Sequence, residues 1–244
     1  MPARGVNALH AMTYLLLVAL ALGAHAATCQ GQSVDMPKLT RVEKALGFEL
    51  IFDGKTLNGW TGYRMDHPPR NWTAKDGVLT CSPGSEGGDL RTTEMYGDFE
   101  LALDYKISPQ GNSGIMYRST EDHEASWQTG PEFQLLDDQG YGAPSDGVNS
   151  SGAAYDFYGP KGKVLRPAGE WNEVRIVACG NHIEHWMNGV KIVEYEIGSP
   201  EWTAIYQRTK FAEFADFGRH SKGYIVLQDH GHEVSFRNIR IRKL

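Results

Sequence analysis

The chain lacks the marks of several large function classes. It holds three cysteines in 244 residues and no Cys-x-x-Cys pair, which excludes a zinc ribbon and a disulfide-dense scaffold. It has no run of lysine and arginine, and 30 acidic against 24 basic residues leave a net charge of −6. Nucleic acid is therefore excluded as a partner, because phosphate neutralisation dominates that kind of affinity. No apolar run reaches the ~20 residues that a bilayer span needs. No HExxH or EF-hand loop occurs either. Internal repeats of 20–50 residues and a Pro/Ser-rich linker are missing too, so one domain is the economical reading. What is present suits a folded chain. Apolar residues make up 41% and charged residues 22%, which excludes wholesale disorder.

The first residues read as a targeting segment. Arg4 is the only charged residue before Asp35, and the apolar run Tyr14–Leu22 follows it. Ala24-His25-Ala26 has the small-x-small pattern of a signal-peptidase site. Residues 1–26 are thus expected to be a signal peptide cleaved near Ala26, with export to the periplasm or beyond. Lipid anchoring at Cys29 is a minor alternative, since Thr28 fits a lipobox badly. Residues 27–46 read as a flexible leader and 47–244 as the domain. In an oxidising compartment Cys81 and Cys179 could bridge, but sequence does not set their distance.

The domain reads as all-β. Short alternating runs recur every 8–14 residues, among them Gly77–Cys81, Phe99–Ile107, Gly114–Arg118, Glu132–Leu136, Ala153–Tyr158 and Val234–Ile241. Twenty-eight glycines suit the many turns between them. Asn188-Gly189 lies between two such runs and predicts a two-residue hairpin of type I′. Phe211, Phe214 and Phe217 recur at three-residue spacing and predict one short helix near residues 207–217. The expected architecture is an antiparallel two-sheet jelly-roll sandwich.

Alternation also sorts the faces, because residues two apart on a strand share one. Glu132, Gln134 and Leu136 share a face, with Phe133 and Leu135 toward the core. Tyr224, Val226, Gln228 and His230 share another, opposite Ile225 and Leu227. Gly114, Met116 and Arg118 go together on a third run. Three strands thus present long polar groups where a buried face would want Val or Leu. Either the face is simply solvated, or it is a wet concavity that binds a polar ligand.

Four pieces carry a family resemblance. They are Phe48–Trp60 with Phe-Asp-Gly-Lys-Thr-Leu-Asn-Gly-Trp, Tyr96–Leu101, Gly111–Arg118 with Glu132–Asp137, and Ile225–Gly231 with Val234–Ile239. Glu170-Trp-Asn172 and His185–Gly189 fit the same pattern. In order and number they resemble the 3-keto-disaccharide hydrolase family, from about Phe48 to Leu244. The resemblance implies a concanavalin A-like lectin/glucanase fold and a carbohydrate substrate oxidised at C3. It leaves oligomeric state unknown.

That resemblance frames the chemistry. Conventional retaining hydrolysis needs two carboxylates about 5 Å apart. A Glu-x-Asp-x-Glu strand would supply them, but here Glu132-Phe-Gln134-Leu-Leu136 stands instead. A 3-keto sugar needs only a base, an acid and a group that steadies an enolate. His230 suits the acid or base, Glu132 is its carboxylate partner, and Arg118 could steady the enolate. Asn112, Gln134, Asp137 and Gln228 are candidates to hold sugar hydroxyls. Trp186 or Trp60 could stack on a ring. Plainer roles stand beside these. Arg118 could pair with Glu132 or Asp137, and Asn112 could serve only a turn. Asp229, His230 and His232 leave a catalytic divalent metal open, and the sandwich architecture leaves a structural calcium open, but no cofactor is established. The alternative to an enzyme is a non-catalytic carbohydrate-binding module.

Overall fold

The computed structural model describes residues 35–84 and 86–244. The expected signal peptide, its cleavage site and Cys29 lie outside the described residues. Among the described residues thirteen strands are present. In chain order they are β1 (Glu49–Leu50), β2 (Trp60–Gly62), β3 (Trp72–Lys75), β4 (Val78–Cys81), β5 (Leu90–Thr92), β6 (Phe99–Ile107) and β7 (Asn112–Ser119). Then come β8 (Glu132–Leu136), β9 (Asn172–Cys179), β10 (His182–Met187), β11 (Val190–Glu196), β12 (Tyr224–Leu227) and β13 (Val234–Lys243). One sheet runs β11-β10-β9-β6-β13-β4-β3, with β1 also on β13. The other runs β2-β5-β12-β7-β8. All pairings are antiparallel, so the chain is a two-sheet sandwich as expected.

The core lies where the alternation puts it. Phe133, Leu135, Ile225 and Leu227 from the smaller sheet join Leu103, Val174, Ile176 and Phe236 from the larger in one fully buried cluster. Each such side chain contributes about 1.5–3 kcal/mol on leaving water. One polar network crosses this core. His185 Nδ1–H donates to the Gly152 carbonyl (3.1 Å), which leaves Nε2 to accept from the Tyr117 hydroxyl (2.9 Å). Tyr117 Oη in turn lies 2.6 Å from Tyr195 Oη. Burial pulls the His185 pKa down to about 4, so the imidazole is neutral.

Local signals account for several elements. Asn188 and Gly189 have φ of 47° and 81°, the type I′ turn joining β10 to β11. The helical stretch expected near 207–217 is a short 3₁₀ turn, and an α-helix precedes it. Thr40 and Glu43 form a capping box that starts α1 (Arg41–Ala45), and Glu43 also pairs with Arg240 on β13. Within the leader expected over 27–46, Glu43 is thereby tied to the sandwich. A second short helix, α2 (Asp138–Tyr141), follows β8. The third, α3 (Pro200–Tyr206), is N-capped by Ser199 with Pro at its start, a stronger start signal than the phenylalanine spacing downstream. A 3₁₀ turn at Lys210–Glu213 follows, which suits a three-residue repeat. There Phe211 and Phe217 stack at 4.2 Å.

Two expectations change. Ala153–Tyr158 is not a strand: Ala154 makes only single bridges to Phe133 and Tyr158, and Asp156 turns the chain at φ 64°. Cys81 and Cys179 are not bridged. They sit on β4 and β9 with β6 and β13 between them, and register sets Cys81 level with Ile107 at one end of β6 and Cys179 just past Phe99 at the other, far beyond disulfide reach.

Candidate active site

The outer face of the smaller sheet holds a cleft of about 200 Å³. Pairing of β7 with β8 sets Gly114 opposite Gln134 and Met116 opposite Glu132. The long polar side chains of β8 thereby stand beside small or apolar neighbours. Just past β12, the Gln228 N–H donates to the Gly114 carbonyl (2.9 Å) and Ser113 Oγ donates to the Gln228 carbonyl (2.8 Å). Those two bonds keep residues 228–230 alongside β7. Asn112 Nδ2 lies 3.4 Å from His230 Nε2. Asn112, Glu132, Gln134, Gln228 and His230, all proposed from sequence, thus line one cleft.

Glu132 is the only carboxylate among the lining residues. Among the described residues no donor bonds it, and burial pushes its pKa up to about 8. Lys210 opposes that rise and Asp89 adds to it. Two further acceptors, Gln134 Oε1 and Asn112 Oδ1, are buried without a partner. An orphaned buried acceptor costs about 1–3 kcal/mol, so these groups fit a ligand that brings hydroxyls.

Three lining residues were not anticipated: Trp127, Tyr155 and Lys210. Trp127 comes from a 3₁₀ turn at Ser126–Gln128, Tyr155 from the irregular segment after β8, and Lys210 from the turn after α3. Lys210 Nζ sits 4.6 Å from the Trp127 ring centroid and 5.0 Å from that of Tyr155. Their only sequence signal was aromatic residues within polar loops. Loop contacts between distant segments leave no periodicity to read.

Arg118 is not in the cleft. β12 offers the single residue Ile225 against Tyr117 and Arg118 of β7, and Arg118 takes a φ of 52°. This bulge breaks the alternation that put Arg118 with Gly114 and Met116. Its buried guanidinium instead donates to the Gly97 carbonyl (3.0 Å), the Gly180 carbonyl (2.7 Å) and Asp98 Oδ1 (3.0 Å). It clamps β7 to the larger sheet, and its carboxylate partner is neither Glu132 nor Asp137. Asp137 also lies away from the cleft and accepts from the Gln110 N–H (2.8 Å). Trp186 does share its face with Glu184, but on the outer side of the larger sheet, where its indole N–H donates to Glu184 and Arg175 stacks on it. Trp60 is buried, with its indole N–H on the Ile51 carbonyl.

Of the three residues weighed for a metal, Asp229, His230 and His232, Asp229 has both oxygens engaged within its own loop. Asp229 Oδ2 accepts from Asn71 Nδ2 (2.8 Å) and the Gly88 N–H (2.9 Å), and Oδ1 accepts from the Gly231 N–H (2.9 Å). Its oxygens are committed to shaping the loop that presents His230. Asp89 braces the same loop by accepting from the Asp229 N–H (3.0 Å) and the Ser126 hydroxyl.

Known proteins share this frame. The profile of the 3-keto-alpha-glucoside-1,2-lyase-like domain matches residues 47–242. A 3-keto-disaccharide hydrolase from Bacteroides thetaiotaomicron is 33% identical over 243 residues, spanning 87% of this chain and 84% of that protein. A crystal structure from Parabacteroides distasonis, provisionally described as a glycosyl hydrolase, superposes with a TM-score of 0.78 at 34% identity. It covers 85% of this chain and 99% of its own. A second structure from that organism, described the same way, gives 0.62 at 29% identity, covering 81% of this chain and 99% of its own. The kinship is with carbohydrate hydrolases. Matched over most of its length, the chain belongs to the 3-keto-alpha-glucoside-1,2-lyase-like family.

Proposed function

We propose that this protein cleaves a 3-keto-glycoside by proton abstraction, elimination and hydration. The observation that carries the reading is Glu132, a lone, buried, unpaired carboxylate in a polar cleft, with a pKa raised to about 8. A single raised carboxylate suits proton transfer near neutral pH. It does not suit conventional hydrolysis, which needs a second carboxylate beside it.

In this reading the Glu132 carboxylate takes the proton from C2, which the C3 ketone has acidified. The C2–H electrons form an enolate across C2 and C3. The C1–O bond then breaks as the enolate reforms the ketone, and His230 protonates the departing oxygen. Water adds at C1 of the resulting enone and gives up a proton to His230, and C2 regains a proton from Glu132. Lys210 takes the charge-steadying role first expected of Arg118, since it is the cation that lines the cleft. Asn112, Gln134 and Gln228 hold hydroxyls, and Trp127 offers a ring face. A cleft of about 200 Å³ is smaller than the ~300–1,000 Å³ of sites that enclose a whole drug-sized ligand, so it would take one sugar ring.

Export by the N-terminal apolar segment belongs to the same proposal, and cell fractionation checks it. The main test is incubation of the purified protein with 3-keto-trehalose, untreated trehalose and laminarin. Release from the keto sugar alone supports the reading, provided E132Q abolishes it. Release from untreated glucan overturns it. Sugar binding with no release from any substrate makes the chain a binding module.

A further inference from the structure

Apart from the cleft, two clusters of side chains have metal-ligand character: Asp122 with Asp216 and His220, and His182 with Glu184 and Glu194. Charge separates them. Lys191 Nζ lies 3.1 Å from Glu184 and 2.9 Å from Glu194, so the second cluster already has its cation. Asp122 and Asp216 have no such neighbour. Among the described residues, only histidines pair with them.

We propose that Asp122, Asp216 and His220 bind one zinc-class divalent ion, which ties the segment bearing Trp127 to the segment bearing Lys210. His220 Nε2 is 3.5 Å from Asp216 Oδ2 and 3.8 Å from Asp122 Oδ2. All three donor atoms lie within 4.8 Å of one another. Zinc–oxygen and zinc–nitrogen bonds of ~2.0–2.2 Å at tetrahedral angles put neighbouring ligands about 3.3–3.5 Å apart, so the donors stand close to binding distance before any ion arrives. Two carboxylates and an imidazole are a borderline donor set, which favours zinc over calcium.

The surroundings orient these ligands. His123 Nε2 lies 2.9 Å from Asp216 Oδ1 and 3.1 Å from Oδ2, and so fixes the orientation of that carboxylate. Thr120 Oγ1 donates to Asp122 Oδ2 (2.6 Å). Asp122, with a side chain 63% exposed, leaves the fourth position facing water.

The site would act on the cleft through one ring. Phe214 packs edge-on against His123 (5.4 Å) and against Trp127 (5.6 Å). Asp122 and His123 precede Trp127 in one loop, and Asp216 and His220 follow Lys210 in another. An ion joining the two loops fixes the wall of the cleft without touching the substrate.

The test uses the purified protein, stripped with EDTA, dialysed and titrated with zinc chloride. We expect one zinc per chain by elemental analysis, a zinc-dependent rise in Tm, and with cobalt chloride the strong visible absorption of a four-coordinate ion. H220A and D216N should each lower zinc affinity at least tenfold, while H182A, at the other cluster, and E132Q leave it unchanged. Circular dichroism confirms that each variant is folded, and H220Q replaces any that is not. Absence of zinc binding in the parent protein overturns the proposal. So does unchanged binding in H220A and D216N, or loss of binding in H182A.

Discussion

The Glu132 carboxylate lies directly over Gly114: a Cβ built on Gly114 would overlap Glu132 Oε1. Only a hydrogen at that position leaves the carboxylate its place in the cleft. The clashing atoms are the end of a flexible side chain, so G114A can fold by swinging Glu132 aside. The expected outcome is a loss of turnover of about 10²-fold or more, from misplacement of the reacting group, with a small change in Tm. Steady-state kinetics beside thermal denaturation checks it.

The raised pKa of Glu132 has a consequence for stability. Its folded-state value of about 8 stands above the ordinary unfolded value near 4.3. The fold therefore binds the proton more tightly than the unfolded chain does. Between those two pH values the unfolded chain gains charge that the fold must bury, and stability falls as pH rises. E132Q has no charge to bury, so its Tm should fall less over that window. Denaturation of both proteins from pH 4 to pH 9 reads the difference.

The same carboxylate sets the pH profile of catalysis. If Glu132 is the base, kcat/KM of the parent protein rises toward pH 8 as the carboxylate ionises. E132Q should lower kcat by about 10²–10⁴-fold and lose that rising limb. A profile that keeps its limb in E132Q assigns the base elsewhere.

Arg118 is a structural clamp, so R118A should cost stability and spare chemistry. Removing it leaves the Gly97 and Gly180 carbonyls and Asp98 without their buried donor. The expected loss is about 3 kcal/mol, or several degrees in Tm. KM and kcat of the folded protein should stay near their parent values. A large fall in kcat with an unchanged Tm would return Arg118 to the active site.

Trp127 is expected to bind a sugar face, and Lys210 to steady the enolate charge. W127A should weaken sugar binding about 3–10-fold, the scale of one aromatic contact. K210A should reduce kcat more than it raises KM, because the charge it steadies exists only in the transition state. Calorimetry and kinetics on the two variants separate the roles.

Most of the sandwich and half of the cleft were legible in sequence. The limits of β6 and β8 coincide with their alternating runs, and the core residues of β8 and β12 fall on the expected faces. Three short strands, β2, β3 and β5, were not anticipated, since three or four residues give alternation too little length to register. Ala153–Tyr158 alternates but does not pair beyond single bridges, since alternation cannot tell a strand from a turn that faces the core.

The sequence alone determined which residues of a strand go together: Glu132 with Gln134, Phe133 with Leu135, Gln228 with His230. That relation is local, because a pleated backbone turns successive side chains to opposite faces whatever it pairs with. The tertiary structure decided the rest. It set a bulge against Ile225 that turned Arg118 out of the cleft, and put Trp186 on the far side of the other sheet. It also brought Trp127, Tyr155 and Lys210 from three separate segments to the Glu132 carboxylate. Bulges and loop contacts depend on what a neighbouring strand or a distant segment offers, so no repeat along the chain can announce them.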